Sequence, residues 1–209
     1  MATVKLTKNE QKKQKDQLKQ FLRYLPTLQL KKQQLQIVIR QIMREVEALL
    51  ESQKRIIEDL QPWIGLFNEN RVFGKGKSLS KVVVVDTVLK ERGNIAGVPI
   101  PLFKELTFKE IEHDLSFYPL WVDYAIVVLK ELARFDAMIT TLRTQIALLE
   151  DELRITSQRV NLFEKVKIPE TKENIRKIGI YLGDQQTAAV VRGKIAKKKL
   201  VKSAKEVVA

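Results

Sequence analysis

"LQLKKQQLQIVIRQIMREVEALL", Leu28–Leu50, decides the fold. Its apolar residues recur at alternating steps of three and four, and the pattern extends in both directions. It picks out Leu18, Phe21, Leu25, Leu28, Lys32, Leu35, Ile39, Ile42, Val46, Leu49, Gln53, Ile56 and Leu60, with only Lys32 and Gln53 polar. A mean step of about 3.5 residues keeps one narrow stripe facing a partner helix, which is the seam of a left-handed coiled coil. A globular helix would carry a wider stripe over a shorter run. The second half repeats the pattern through Trp121, Ala125, Val128, Leu132, Phe135, Ile139, Leu142, Ile146, Leu149, Leu153, Thr156, Val160 and Phe163, with Thr156 the single break.

These two stripes predict a mainly α protein, a long bent antiparallel two-helix coiled coil with a small middle segment. The first helix starts at Thr7, where "TKNE" forms a capping box with Glu10, and runs to about Asn68 with bends expected at Pro26 and Pro62. The second opens between Ser116 and Leu120 and continues toward Lys199. The implied segments are residues 1–68, 69–118 and 119–209. In the middle, "KVVVVDTVLKERGNIAGVPIPLF" is β-branched, and it reads as a hairpin of Val82–Leu89 and Ile95–Phe103 with a loop at Lys90–Asn94. Pro99 and Pro101 confine the second strand to an edge.

If Leu60 lies near Trp121, Thr7 faces roughly residue 174, and a lone helix projects beyond that point. The paired rod would be on the order of 80 Å long. After Phe163 the original phase would place Lys167, Glu170, Asn174 and Lys177 in the seam, whereas Ile168, Thr171, Ile175, Ile178 and Leu182 form a new one. The path Val160, Glu164, Ile168 contains two successive four-residue steps, a local relaxation of the supercoil. Pro169 falls at that change, where a kink is expected.

Composition agrees with long helices: 8 Gly, 6 Pro and no Cys in 209 residues. The lack of Cys excludes disulfides and thiolate chemistry. No apolar run reaches membrane-spanning length, and "MATVKLTKNEQKKQKDQ" has no signal-peptide core, so a cytoplasmic setting is expected. Of the net charge of +13, most lies at the two ends: six Lys against Glu10 and Asp16 in the first twenty residues, and seven Lys or Arg against Glu206 in the last eighteen. Nucleic acid, anionic lipid or an acidic protein surface could each answer such ends. The tail "RGKIAKKKLVKSAK" has charge for nucleic acid but no aromatic to stack on bases, and it reads equally as a helical tip with Ile195, Ala196, Leu200, Val201 and Ala204 among its lysines.

No catalytic constellation emerges. "GKGKS" at Gly74–Ser78 lacks the first glycine of a phosphate loop, because Arg71 stands there, and the helix it needs has no room. His113 is the single histidine, with no Cys to join it in a zinc site. Glu110, Glu112 and Asp114 read as a solvated face or a helix start. No cofactor or metal is expected.

"QRVNLFEKVKIPETKENIRKI", Gln158–Ile178, resembles the C-terminal motif of the D subunit of V-type and A-type ATPases, and the departures suggest a bacterial member. The matching positions are Arg159, Val160, Asn161, Glu164, Ile168, Pro169, Ile175 and Ile178, with Gln158, Leu162, Phe163 and Asn174 departing. "LQLKKQQL", Leu28–Leu35, and "NIAGVPIPL", Asn94–Leu102, are looser matches. The resemblance implies a non-catalytic rotor of the central stalk, peripheral to the membrane, coupling ATP chemistry in a hexamer of A and B subunits to ion transport through a membrane ring. It implies that the F subunit and a socket subunit on the ring bind the middle segment and nearby coil, and that the tip enters the hexamer bore. The seam residues Leu25, Leu28, Leu35, Ile39, Ile42, Val46, Leu132, Phe135, Ile139, Leu142, Ile146 and Leu149 would hold the shaft together. Lys197, Lys198 and Lys199 would meet acidic bore surfaces. The alternatives from other classes are a prefoldin-type chaperone or scaffold, whose coils are shorter with apolar tips, and a nucleic-acid-binding coiled coil.

Overall fold

The computed structural model describes residues 4–63, 65, 82–109 and 121–208. Helix α1 spans Lys8–Leu60. Thr7 caps it: its Oγ1 accepts from the Glu10 N–H at 3.3 Å, and its carbonyl accepts from the Gln11 N–H at 3.0 Å, satisfying two donors at the helix start. The helix passes through Pro26 unbroken and stops at Leu60, and Pro62 sits in the 3₁₀ turn Gln61–Trp63 that follows. Strands β1 (Val85–Ile95) and β2 (Val98–Phe108) form an antiparallel hairpin. Helix α2 spans Trp121–Asn161, a π turn covers Leu162–Lys167, and α3 spans Ile168–Val208. The "GKGKS" segment, His113, the Glu110–Asp114 cluster and the expected start of the second helix lie outside the described residues.

The chain divides into two compact units. In the unit of residues 31–155, Leu35, Ile39 and Ile42 of α1 and Leu149 of α2 form a buried core with Val98 and Ile100 of β2. Lys31 and Glu152 are ion-paired across the helices, and Gln53 donates to Asp136. A second small core joins Val82 to Val122 and Ile126. In the unit of residues 1–30 and 156–209, the rings of Phe21 and Phe163 meet at 5.3 Å between centroids. Each unit thus pairs α1 antiparallel with the C-terminal helices. The register runs a few residues beyond the one the sequence suggests: Phe21 meets Phe163 in place of Val160, and Lys31 meets Glu152 in place of Glu150.

The hairpin exists, but its turn is not at Lys90–Asn94. β1 continues through those residues, and the chain reverses at Ala96–Gly97, with φ of 52° and 81°. Positive φ at both central residues is the two-residue turn whose twist matches paired strands. Asn94 Oδ1 accepts from the Gly97 N–H at 2.9 Å and closes it. Gly93 is needed for another reason. It pairs with Ile100, and a Cβ there would stand 2.8 Å from Leu102 Cδ1, so the position admits a close approach rather than a turn. β2 alternates as a strand with one buried face should: Val98 and Ile100 are buried while Pro99 is exposed. As one strand of a two-stranded sheet, β2 tolerates both prolines.

Candidate functional site

The residues the sequence singles out occupy three settings. Every named seam position is buried or half-buried, Leu35 and Leu149 completely. The polar exceptions follow the stripe too: Lys32 and Gln53 are half-buried, and Thr156 is 1% exposed. Two apolar stripes from distant parts of the sequence therefore close on each other, and little of the polar surface must be desolvated to do so.

The motif Arg159–Ile178 surrounds the π turn. Val160, Ile168 and Ile178 are buried, Ile175 is half-buried, and Arg159, Asn161, Glu164 and Pro169 are exposed. The expected path through Glu164 is not the one taken. Phe163 stays in the seam against Phe21, and the next buried position is Ile168, a single five-residue step. The backbone makes the same step, because the Ile168 N–H donates to the carbonyl of Phe163. One residue more than the heptad allows is thus absorbed in one wide turn, not spread over an eleven-residue repeat. The physical reason is side-chain chemistry: the distributed path would put a carboxylate in the seam, the local one an aromatic ring.

Pro169 sits just past that turn. Its ring would strike the carbonyl of Lys165 in a regular α-helix, and it has no N–H to donate to it. Thr171 follows, buried, and its Oγ1 donates to the Lys167 carbonyl at 2.6 Å. Further along, Glu173 and Arg176 share two hydrogen bonds of 2.9 and 2.8 Å. The hydrogen bond from Arg176 holds the Glu173 carboxyl below its ordinary range, and the same contact raises the Arg176 guanidinium.

Beyond Leu182 no residue through Val201 is buried or half-buried. Lys197, Lys198 and Lys199 lie on this bare stretch of α3, as do Val190, Val191 and Ile195. Nothing among the described residues brings the three lysines together with the motif, of which Ile168, Pro169, Ile175 and Ile178 lie on α3 with them.

The face of α2 that carries the hairpin leaves little trace in the seam pattern. Gln145, 4% exposed, donates from Nε2 to the carbonyl of Pro101 at 2.6 Å. Thr141 is buried on the same face, and Ala133 and Ala137 are half-buried. Small residues at four-residue spacing were the available signal, since they let a strand approach a helix closely. Beside this contact an open, apolar groove of about 760 Å³ lies between the helices and the hairpin, lined by Val38, Leu49, Leu102, Phe103 and Met138 among others.

Among the described residues no group of three or more His, Cys, Asp or Glu could hold a metal ion, and no helix is long and apolar enough to cross a membrane.

The family model for the D subunit of ATP synthase matches residues 10–198. The chain is 54% identical over 202 residues to the V-type ATP synthase D subunit of Borreliella burgdorferi, covering 97% of each chain. It is 34% identical over 197 residues to the protein of the same name from Chlamydia muridarum, covering 94% of this chain and 96% of that one. With paired seams, a central hairpin and a family motif placed around the π turn, the chain belongs to the D-subunit family of V-type ATP synthases.

Proposed function

We propose that this chain is the non-catalytic rotor shaft of its V-type complex, transmitting torque between the A/B hexamer and the membrane ring. The observation that carries the reading is the stretch of α3 beyond Leu182, a helix whose side chains are exposed throughout as far as Val201. A helix with no packed face lacks the tertiary contacts that supply most helical stability in proteins, so a place for it inside a partner is the simplest explanation. Its Lys197, Lys198 and Lys199 would face acidic surfaces of the bore, and the motif residues from Arg159 to Ile178 would form the neck of the shaft. The F subunit and a socket subunit on the membrane ring would take the middle segment and the adjoining coil, which keeps the protein cytoplasmic and peripheral to the membrane.

A shaft drives equivalent sites into different states only by contacting them differently, since equal affinity for all states shifts none of them. The asymmetry of one helix projecting beyond a pair provides unequal faces. Reconstitution tests the reading: the chain, with and without the F subunit, is mixed with the A/B hexamer, and stoichiometry and ATPase rate are measured. One copy per hexamer with altered turnover, lost on deleting residues 170–209, is expected. Failure to bind, together with salt-sensitive binding to nucleic acid, would overturn it. Replacing Lys197, Lys198 and Lys199 by Gln should weaken coupling; unchanged assembly and coupling would remove the lysines from the mechanism.

A further inference from the structure

We infer that the π turn Leu162–Lys167 is a torsionally soft joint, at which twist between α3 and the coil is taken up between two packings: the occupied one with Phe163 in the seam, and a minor, costlier one with Glu164 turned toward α1. Its role in transmitting torque rests on the shaft reading, but the softness belongs to this chain alone.

Four observations converge on the turn. No side chain within it is buried, while Val160 before it and Ile168 after it are 5% and 7% exposed. The turn therefore lies between two clamps and is itself gripped chiefly through the half-buried ring of Phe163, tilted 31° against Phe21. Its backbone is also short of donors. The Ile168 N–H, the α-helical partner of the Glu164 carbonyl, is given to Phe163 instead. The next two candidates fail together, because Pro169 has no N–H for either the Glu164 or the Lys165 carbonyl. Both carbonyls thus lose their α-helical donors, and both residues are exposed.

The fourth observation is that the surplus residue has two ways to fit. In the structure it is concentrated in the step from Phe163 to Ile168. The alternative spreads it through Val160, Glu164 and Ile168, with the same clamps on either side. The two arrangements share their end points and differ in which adjacent side chain points at α1. Moving between them rotates the turn about the helix axis without unpacking Val160 or Ile168. The ion pair between Lys167 and Glu170 stays within the C-terminal helices, so it does not lock the turn to α1.

The test uses the full chain first. Amide hydrogen exchange across residues 162–170 should be about two- to tenfold faster than in residues 150–160 or 171–178, the range that one lost net hydrogen bond implies. Deleting Val166, which is 48% exposed, restores alternating steps through the seam; combined with Pro169→Ala, which keeps the proline ring from striking the closed turn, it should bring that segment to the protection of its flanks. Glu164→Leu keeps the length and favours the alternative packing. Because the chain has no Cys, spin labels placed through Tyr24→Cys and Val166→Cys report the change as a shifted or doubled distance distribution. Equal exchange across the three segments, or an unshifted single distance in Glu164→Leu, would overturn the inference.

In the reconstituted complex, the angular fluctuations of a bead on the stalled rotor should narrow when Val166 is deleted together with Pro169→Ala, while ATPase turnover persists. Equal fluctuations in both rotors would overturn the joint and leave the shaft standing. Failure of the wild-type chain to assemble would remove the shaft, and the exchange and distance measurements would still decide the joint.

Discussion

Pro26 lies inside α1 and Pro169 in the first turn of α3, and both are followed closely by a threonine that donates to a carbonyl upstream. Thr27 Oγ1 reaches the Tyr24 carbonyl at 2.8 Å, and Thr171 Oγ1 reaches the Lys167 carbonyl at 2.6 Å. Yet α1 stays α-helical through Pro26, while a six-residue π turn precedes Pro169. The residue type is the same, so proline is not what makes the turn. The difference lies in the seam. Around Pro26 the steps from Phe21 to Leu25 to Leu28 keep the heptad, whereas Phe163 to Ile168 contains one residue too many. Surplus length forces the wide turn, and the proline occupies a place where its missing N–H and bulky ring cost little.

The largest effects should come from the seam on the far side of the turn. Ile178 is fully buried, as Leu149 is upstream. If the five-residue step locks the new phase as firmly as the old, Ile178→Ala and Leu149→Ala should each cost about 2–5 kcal/mol in denaturant melts. A far smaller cost at Ile178 would mean that the downstream phase is not held.

The prolines themselves come next. Pro26→Ala restores an interior N–H and relieves a ring clash, and should stabilise the chain by about 1–3 kcal/mol. Pro169→Ala should gain less than about 1 kcal/mol, because the widened turn already avoids the clash. Equal gains would mean that the two prolines sit in equivalent settings after all.

The two threonines should separate in the same direction. Loss of the buried hydrogen bond in Thr171→Val should cost about 1 kcal/mol. Thr27→Val, at a solvated carbonyl, should cost less, and thermal melts of the pair suffice to rank them.

The smallest effect belongs to Glu173, whose exposed pair with Arg176 holds its carboxyl below the ordinary range. The sign follows from that lowered value: any stabilisation is present above the unfolded pKa and disappears as pH falls through the folded one. Since surface pairs contribute little, Glu173→Gln should leave thermal stability unresolved from wild type at neutral pH. A measurable loss would show that this turn of α3 is held by more than its seam.

How far the sequence can be read follows from what kind of signal each feature leaves. The seams are legible residue by residue, even at Lys32, Gln53 and Thr156, because a period sustained over many turns outweighs single exceptions. The hairpin is legible as two β-branched runs, but its turn is not. Gly93-Asn94 looks like a reversal, and the real one uses Ala96, a residue with no preference for positive φ. The change of phase near Pro169 is visible, but not the way it is resolved. A repeat reports that a residue is surplus; only the competition between Phe163 and Glu164 for the seam decides where it goes. Gln145 leaves the weakest trace, since one glutamine among many says nothing until a strand carbonyl arrives opposite it. The clustering of Lys at the C-terminal end is plain, because charge is read directly from the residue types.

The bare stretch of α3 has a consequence for the unassembled chain. A lone helix opens locally with little penalty, and this one carries Arg192, Lys194 and Lys197 to Lys199 along its length. Each is a cleavage site for trypsin-like proteases whenever the helix frays. On the shaft reading proposed above, a copy without its complex should therefore be trimmed from this end first, and a copy held in its complex should be spared. On that reading, the stretch with no packed face would expose orphan copies to trimming and leave assembled ones whole.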